Sequence, residues 1–332
     1  MLAIIMLNWN GWKDTIETLE SIYNNDYDDY FVLLIDNGST DNSLAEILEW
    51  LTRNAKNYLF YKLSELKQAA RIIIQKRMTI VIANPKNYGF AGGNNIGIYI
   101  IKRYIQPKPK YVLFLNNDVY VPRASLKKLV DIADKVSDLG ALNPTILFYH
   151  NPRKIQYLYG FIDWFGLLMP LNMANMRRKF KIIDINKEGK LIVSERALGA
   201  ALLVRYIVLE KVGYFRTEYF LQVEDTDFSF RIQAAGYKLY GYTGAFILHK
   251  GSVTLNKVLT TKFTYLIRNR FLFRVYYASL PSLFIFTLWW LLVESPILLT
   301  WNYKKFRSHS VLEGFINGIK SVIKLRESID IT

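Results

Sequence analysis

Amide, acidic and glycine residues gather at five places in the chain: "NWNG" at Asn8–Gly11, "DNGSTD" at Asp36–Asp41, "NPKNYGFAGGNNIG" at Asn84–Gly97, "LNNDVYV" at Leu115–Val121 and "VEDTDFSFRIQAAGY" at Val223–Tyr237. Each type suggests a chemistry. Asp36, at the end of an apolar run, can accept hydrogen bonds from a base or a ribose hydroxyl; Asp41 or Ser43 in the same cluster suits a helix cap. The glycines of "GFAGGNN" permit close backbone approach and exposed N–H groups, which suit phosphate or sugar oxygens. Their spacing is neither a Walker A loop nor G-x-G-x-x-G, and a turn before a helix explains it as well. Asp118, flanked by Asn116 and Asn117, offers oxygen to a hard cation such as Mg2+ or Mn2+, which one carboxylate and a diphosphate can hold. An Asx turn ahead of a helix is the plainer alternative. Glu224 and Asp225 open a helical pattern after an apolar-aromatic stretch that reads as a strand. They fit either a general base at the mouth of a site or carboxylates favoured by the helix dipole. Asp227 is spaced to bond Arg231, a structural role. His249, ending "AFILH", fits a structural histidine or one at a site.

The elements that must carry these residues alternate. Strand-like runs cover Leu2–Leu7, Tyr30–Ile35, Thr79–Ala83 and Tyr111–Leu115, and helical patterns cover Trp12–Ile22, Ser43–Leu51, Asn94–Tyr104 and Pro122–Val136. Such alternation predicts an α/β fold with a mostly parallel sheet and helices on its faces. Ligands then bind beyond the carboxyl ends of the strands, where the polar clusters fall. Between Arg53 and Met78, "KLSELKQAARIIIQKR" reads as an inserted helix. From Tyr149 to Val193 aromatics alternate with Gly, Asp and basic residues, which suits hairpins or an acceptor-side loop.

Composition bounds the class. Hydrophobic residues make up 51% of 332, enough for a substantial core, and Lys+Arg exceed Asp+Glu by 15. The excess suits an anionic partner: nucleic acid, a lipid surface or a phosphorylated substrate. No nucleic-acid module is recognisable. With no cysteine, disulfides and thiolate metal sites are excluded. "MLAIIMLNWN" lacks a basic leader and reads as a buried first strand, so the catalytic part is expected in the cytoplasm.

In collinear order, "IIMLNWNG", "VLLIDNGSTDNS", "NYGFAGGNNIGI", "YVLFLNNDVYV", "GAALLVRYIVLEKVGYF", "VEDTDFSFRIQAAGY" and "RNR" make the chain from Ala3 to about Asn269 resemble family-two inverting glycosyltransferases of the GT-A fold, most nearly the rhamnosyltransferase-like branch. The resemblance implies a Rossmann-like sheet and transfer of a sugar from a nucleoside-diphosphate donor to an acceptor hydroxyl with inversion. It places Asp36, with Asn37, at the nucleoside. It has Asn8, Asn10 and the Gly89–Asn95 loop, with Gly92 and Asn94, frame the donor beside Asn117 and Asp118. It makes Asp118 a ligand of Mn2+ or Mg2+ with His249 near the metal. It assigns Asp225 as base, with Glu224 beside it. Asn116 departs from the family pattern, which has an Asp there; one anionic ligand fewer weakens metal binding.

The chain divides into a catalytic domain over 1–259 and a helical, apolar and basic tail over 260–332. "ASLPSLFIFTLWWLLVESPILLTW" reaches the roughly 20 residues a bilayer crossing needs, but Glu294 and Pro296 break it and basic residues flank both sides. An interfacial or re-entrant helix, a true span and a buried helix all fit. "SVLEGFINGIKSVIKLRES" suits an amphipathic helix on an anionic surface, or ordinary core packing. A protein at the cytoplasmic face of the membrane acting on a lipid-linked or cell-surface glycan precursor follows from the resemblance and the tail together. A sugar nucleotidyltransferase is the rival enzyme, yet "NWNGWKD" stands where its Gly-rich basic loop belongs. A non-catalytic membrane-surface anion binder is the rival outside enzymes. Donor sugar, acceptor and oligomeric state stay open.

Overall fold

A computed structural model describes residues 1–55, 57–68, 71–162, 189–251, 259–297, 300 and 309–329. The expected strands form with small shifts: β1 Leu2–Asn8, β2 Tyr30–Asp36, then β3 Tyr58–Lys62, β4 Ile72–Ile73 and β5 Met78–Ala83. β6 Ile105–Gln106, β7 Tyr111–Asn116, β8 Val119–Tyr120, β9 Leu139–Phe148, β10 Asn151–Tyr157, β11 Leu191–Ser194, β12 Ala201–Arg205 and β13 Lys238–His249 follow. The helices are α1 Trp12–Tyr23, α2 Ser43–Asn54, α3 Gly89–Tyr104, α4 Ser125–Lys135, α5 Tyr206–Val212, α6 Glu224–Ala234, α7 Leu259–Tyr277, α8 Leu280–Trp289 and α9 His309–Ile329.

The main sheet runs β11-β13-β9-β12-β7-β1-β2-β5-β3. β7, β1, β2, β5 and β3 are mutually parallel, and β12 is antiparallel to both β7 and β9. Of these, β1, β2, β5 and β7 are buried on both faces, which is why they read as continuous apolar runs rather than alternating ones, while β3 is the partly exposed edge. Leu2, Ile4 and Met6 pack toward one face with Leu19, Leu126 and Leu129; Ala3 and Ile5 pack toward the other with Ile98, Ile101 and Phe228. β1, β2 and β7 end in step: Asn8 pairs with Asp36, and Leu7 with Asn116. That common end puts four of the five polar clusters on one rim.

Three expectations are corrected. The "inserted helix" between Arg53 and Met78 is instead β3, a 3-10 turn at Glu65–Gln68 and β4. Pairing of Tyr58–Lys62 with β5 outweighs the local helical pattern. The Gly89–Asn95 loop is the first turns of α3, which starts five residues before the expected Asn94. The stretch before Glu224 is not a strand; it is a 3-10 turn at Thr217–Tyr219 and an irregular loop. In the 149–193 region, β9 and β10 form the expected hairpin, and 163–188 lie outside the described residues.

The tail helices pack on one another and on the sheet domain. Gly314 and Gly318 of α9 let that helix lie against Thr260, Phe263 and Ile267 of α7; a Cβ at Gly314 would stand 2.7 Å from the Thr260 carbonyl. Phe271, Phe286, Trp290 and Phe315 fill the space between α7, α8 and α9. Arg270 of α7 makes a two-pronged buried ion pair with Glu294, Nη1–Oε1 2.5 Å and Nη2–Oε2 2.9 Å.

Candidate active site

Asp36 ends β2 and is buried. Its Oδ1 accepts from Asn8 Nδ2 at 2.7 Å and from the Ser39 hydroxyl at 2.6 Å. Asn10 sits at φ +53, a conformation Asn tolerates, and its Oδ1 accepts the Thr40 and Asp41 N–H groups. The "DNGSTD" turn is thus tied to the "NWNG" turn by side-chain bonds. Asn37 lies deeper: it donates to Asn87 Oδ1 and the Gly89 carbonyl, and accepts from Asn84 and the Tyr88 N–H. These bonds hold the start of α3 against the end of β2.

A cavity of about 450 Å3 opens at this rim. Leu7, Trp9, Asn37 and the run Asn116–Asp118 line one side. Gly89 and Phe90 from α3, Phe220 and Leu221, and Thr261 and Tyr265 from α7 close the others. Of the residues read from the sequence, Asn37, Gly89, Asn117 and Asp118 face it. Asn8, Asn10 and Asp36 brace the rim behind. Gly92 and Asn94 do not line it. A Cβ at Gly92 would meet Tyr88, and Asn94 bonds back to the Phe90 carbonyl within its own helix. Gly89 has φ +73 and faces the Phe220 carbonyl so closely that a Cβ would stand 2.4 Å away. Gly93 and Gly97 let α3 press on Leu7 and Ile5 of β1. The glycine run serves helix-to-strand packing.

Asp118 and His249 meet, although far apart in sequence: Oδ1 to Nε2 is 3.2 Å, and both residues are buried. β13 pairs with β8 in the register His249–Val119, which delivers the ring to Asp118. His249 Nδ1 faces Gln156 Oε1 at 2.9 Å, and Nε2 faces Asn116 Nδ2 at 3.3 Å. Gln156 on Nδ1, with Asn116 and Asp118 on Nε2, holds the ring in one orientation. Nε2 and Asp118 Oδ1 thus face one another directly. One carboxylate oxygen and one imidazole nitrogen fit a divalent cation of the Mn2+ type. Among the described residues no group of three His, Cys, Asp or Glu converges, and oxygens of a diphosphate or water would serve a cation there as further ligands.

Glu224 and Asp225 start α6 behind Phe90. Asp225 Oδ2 accepts the Gly199 N–H at 3.2 Å, Oδ1 accepts the Thr226 hydroxyl at 3.2 Å, and Arg196 Nη2 stands 3.9 Å from Oδ1. A Cβ on Gly199 would touch the Phe90 ring at 2.9 Å, so Phe90, Gly199 and Asp225 form one packed line from the cavity wall. Glu224 is buried, and its Oε2 has no hydrogen-bond partner among the described residues. Burial, and next the neighbouring Asp225 charge, push its carboxyl up to about 8. Asp227 is structural, as its spacing indicates: it bonds Arg231 at 2.8 Å and accepts from Tyr277 of α7 at 2.7 Å.

Residues 3–186 match the family described as Glycosyl transferase family 2, which is more than half of the chain, and the protein belongs to that family. It is a glycosyltransferase of GT-A architecture using a nucleotide-sugar donor. Among its relatives, rhamnosyltransferase WbbL of Escherichia coli (strain K12) is 26% identical over 281 residues, covering 79% of this chain and 97% of the relative. Low-salt glycan biosynthesis hexosyltransferase Agl10 of Haloferax volcanii is 22% identical over 280 residues, covering 82% and 74%. Among solved structures, the mannosyltransferase PcManGT from Pyrobaculum calidifontis in complex with GDP-Man and Mn2+ superposes with TM-score 0.56 at 14% identity, covering 97% of this chain and 86% of that one. GalNAc-T7 with UDP, GalNAc and Mn2+ gives TM-score 0.53 at 18% identity, covering 75% of this chain and 43% of that one. These matches decide for glycosyl transfer over the sugar nucleotidyltransferase and non-catalytic alternatives.

Sequence reasoning missed Trp9, Gln156, Gly199, Phe220, Leu221, Thr261 and Tyr265. Gln156 has no local motif; only strand pairing brings it to His249. Thr261 and Tyr265 lie in the tail, whose apolar and basic composition reads as a membrane element rather than a site wall.

Proposed function

We propose that the protein transfers a hexosyl or deoxyhexosyl unit, with inversion, from a nucleoside-diphosphate sugar to a hydroxyl of a lipid-linked or surface-glycan precursor. The observation that carries this is the convergence of Asp118 Oδ1 and His249 Nε2 at 3.2 Å beside the cavity. A divalent cation bound there supplies charge that offsets the negative charge developing on the leaving diphosphate. The base and ribose take the rim braced by Asn8, Asn10, Asp36 and Asn37, and Asn117 and the start of α3 flank the donor. Asp225, steadied by Gly199 and Thr226, accepts the proton of the attacking hydroxyl on the opposite face of the sugar. Glu224, carrying a proton at neutral pH, sets the field around it. The names of the two relatives, a rhamnosyltransferase and a glycan-biosynthesis hexosyltransferase, support the donor class.

The same reading seats the tail on an anionic membrane surface. Only 17% of Leu280–Ile297 is buried. Phe284, Leu288, Leu291 and Leu292 of this stretch, and Leu312, Ile316 and Ile319 of α9, stand exposed, while Arg270–Glu294 holds the stretch to α7. An apolar face on a chain with net charge +15 suits an interfacial helix.

The test is a panel of nucleoside-diphosphate sugars screened by thermal shift with and without Mn2+. Cation-dependent stabilisation by one or two donors is expected. A donor that stabilises equally in chelator would remove the cation from the reading.

A further inference from the structure

The loop Tyr219–Val223 joins the cavity wall to the carboxylates that follow it. Phe220 and Leu221 line the cavity, and Val223 leads directly into Glu224 and Asp225. Its backbone is held in a costly shape. Phe220, Gln222 and Val223 have φ of +57, +69 and +73, none is glycine, and Val223 is β-branched. A left-handed conformation in such residues persists only where the surroundings over-determine it.

One side chain from α7 does much of the determining. Asn269 is fully buried, and its Nδ2 lies 2.7 Å from the Tyr219 carbonyl, 2.7 Å from Leu221 and 2.8 Å from Gln222. Its Oδ1 accepts from Arg268 Nη1 at 3.0 Å, and the same nitrogen donates to the Glu218 carbonyl at 2.7 Å. The amide orientation is therefore dictated: turned over, it would set oxygen against three carbonyls. Phe220 is held further by its ring, stacked on Tyr265 of α7 at 5.0 Å, and by its carbonyl, which accepts the Ala91 N–H of α3 at 3.3 Å.

We infer that Asn269 is a positioning residue for glycosyl transfer: by gathering three carbonyls it holds the strained loop that leads from the cavity wall into Glu224 and Asp225. The inference rests on the reading of that pair as the reacting carboxylates. Asn269 touches neither donor nor acceptor. It fixes the direction in which α6 starts, because a chain relaxed to negative φ at Gln222 and Val223 would leave Val223 on a different course.

The experiment compares wild type, Asn269→Ala and the double variant Asn269→Ala with Gln222→Gly in full-length protein. It measures kcat for transfer and Kd for a nucleoside diphosphate with Mn2+. Loss of the clamp should lower kcat about 10- to 100-fold while Kd moves less than about threefold, since the rim proposed for base and ribose is braced by Asn8, Asn10, Asp36 and Asn37 and not by the clamped loop. Glycine adopts positive φ without steric cost, so Gln222→Gly should restore part of kcat in the Asn269→Ala background. A mere packing role would show no such rescue. Wild-type kcat in Asn269→Ala, kcat and affinity falling in step, or no recovery in the double variant would each overturn the inference. Should Asn269→Ala not fold, Asn269→Ser, which keeps one donor, is read by the same criteria. An Asp225→Asn enzyme that retains its transfer rate would instead defeat the carboxylate reading and leave the clamp's rescue result standing, so the two failures are told apart.

Discussion

Asp118 Oδ1 and His249 Nε2 stand 3.2 Å apart, and Gln156 Oε1 holds the ring from behind, 2.9 Å from Nδ1. In the proposed function this pair would hold the divalent cation. Asp118→Ala should abolish most Mn2+-dependent nucleotide binding with the fold intact. Gln156→Leu should weaken Mn2+ affinity about 10- to 100-fold by removing the partner that orients the ring. Calorimetric titration of nucleoside diphosphate in Mn2+ and in chelator checks both. Full activity in excess chelator would sink the assignment.

Asp225→Asn should keep donor affinity near wild type and lose transfer by about 100- to 10,000-fold, because a base acts only in the chemical step. Glu224→Gln should cost less, since Asp225 holds the Gly199 N–H and the Thr226 hydroxyl while Glu224 Oε2 bonds to nothing described. Steady-state kinetics of the two variants decide between them. If Glu224→Gln is the more damaged, the roles are exchanged.

Glu224 also predicts a pH dependence of stability. Its carboxyl is raised to about 8 in the folded protein, against 4.5 ordinarily. Below about pH 4.5 both states hold the proton and the group is neutral in its effect. Between 4.5 and 8 the unfolded chain gives up the proton while the folded one keeps it, so this group costs stability as pH rises, and the cost is complete above 8. The Tm of Glu224→Gln minus that of wild type should therefore grow from pH 5 to pH 8. A flat difference would show that the carboxyl is not buried beside Asp225.

Removing the tail is a poor test of membrane binding, because a cut near Arg270 would sever α7 and take Phe271, Phe273 and Tyr277 from the core. Substitution is better. Phe284 is 65% exposed and Leu292 76%. Phe284→Glu with Leu292→Glu should abolish sedimentation with anionic vesicles and leave Tm unchanged. Persistent sedimentation would assign the apolar face to another partner.

The strands were legible because a doubly buried parallel strand is apolar throughout, and Leu2–Leu7 or Tyr111–Leu115 admit no other reading. The start of α3 was not. "YGFAGGNN" has the composition of a loop, and only the press of Gly93 and Gly97 on Leu7 and Ile5 shows why a helix needs those glycines. Asp118, His249, Glu224 and Asp225 could be picked from spacing. Their couplings could not, since Gln156, Gly199 and Asn269 meet them through register and helix packing rather than through neighbouring sequence. The tail's composition gave no sign that α7 also closes the cavity: Thr261 and Tyr265 reach it, and Asn269 reaches the loop beside it, only through helix packing.

Asn269 and Arg270 are adjacent on α7 and face opposite obligations, one toward the loop before Glu224 and the other toward Glu294 at the end of the apolar stretch. This sets an order on the ribosome. Strands β1, β2, β5 and β7 are made first and can pair early. The loop ahead of Glu224 is made later and has no Asn269 to hold it until α7 emerges, and Arg270 meets its carboxylate only when the apolar helix follows. A chain halted before α7 therefore lacks both the clamp on the loop ahead of Glu224 and the Thr261 and Tyr265 wall of the cavity. That loop and the apolar stretch that ends at Glu294 hang on one helix, so neither is anchored before α7 is complete.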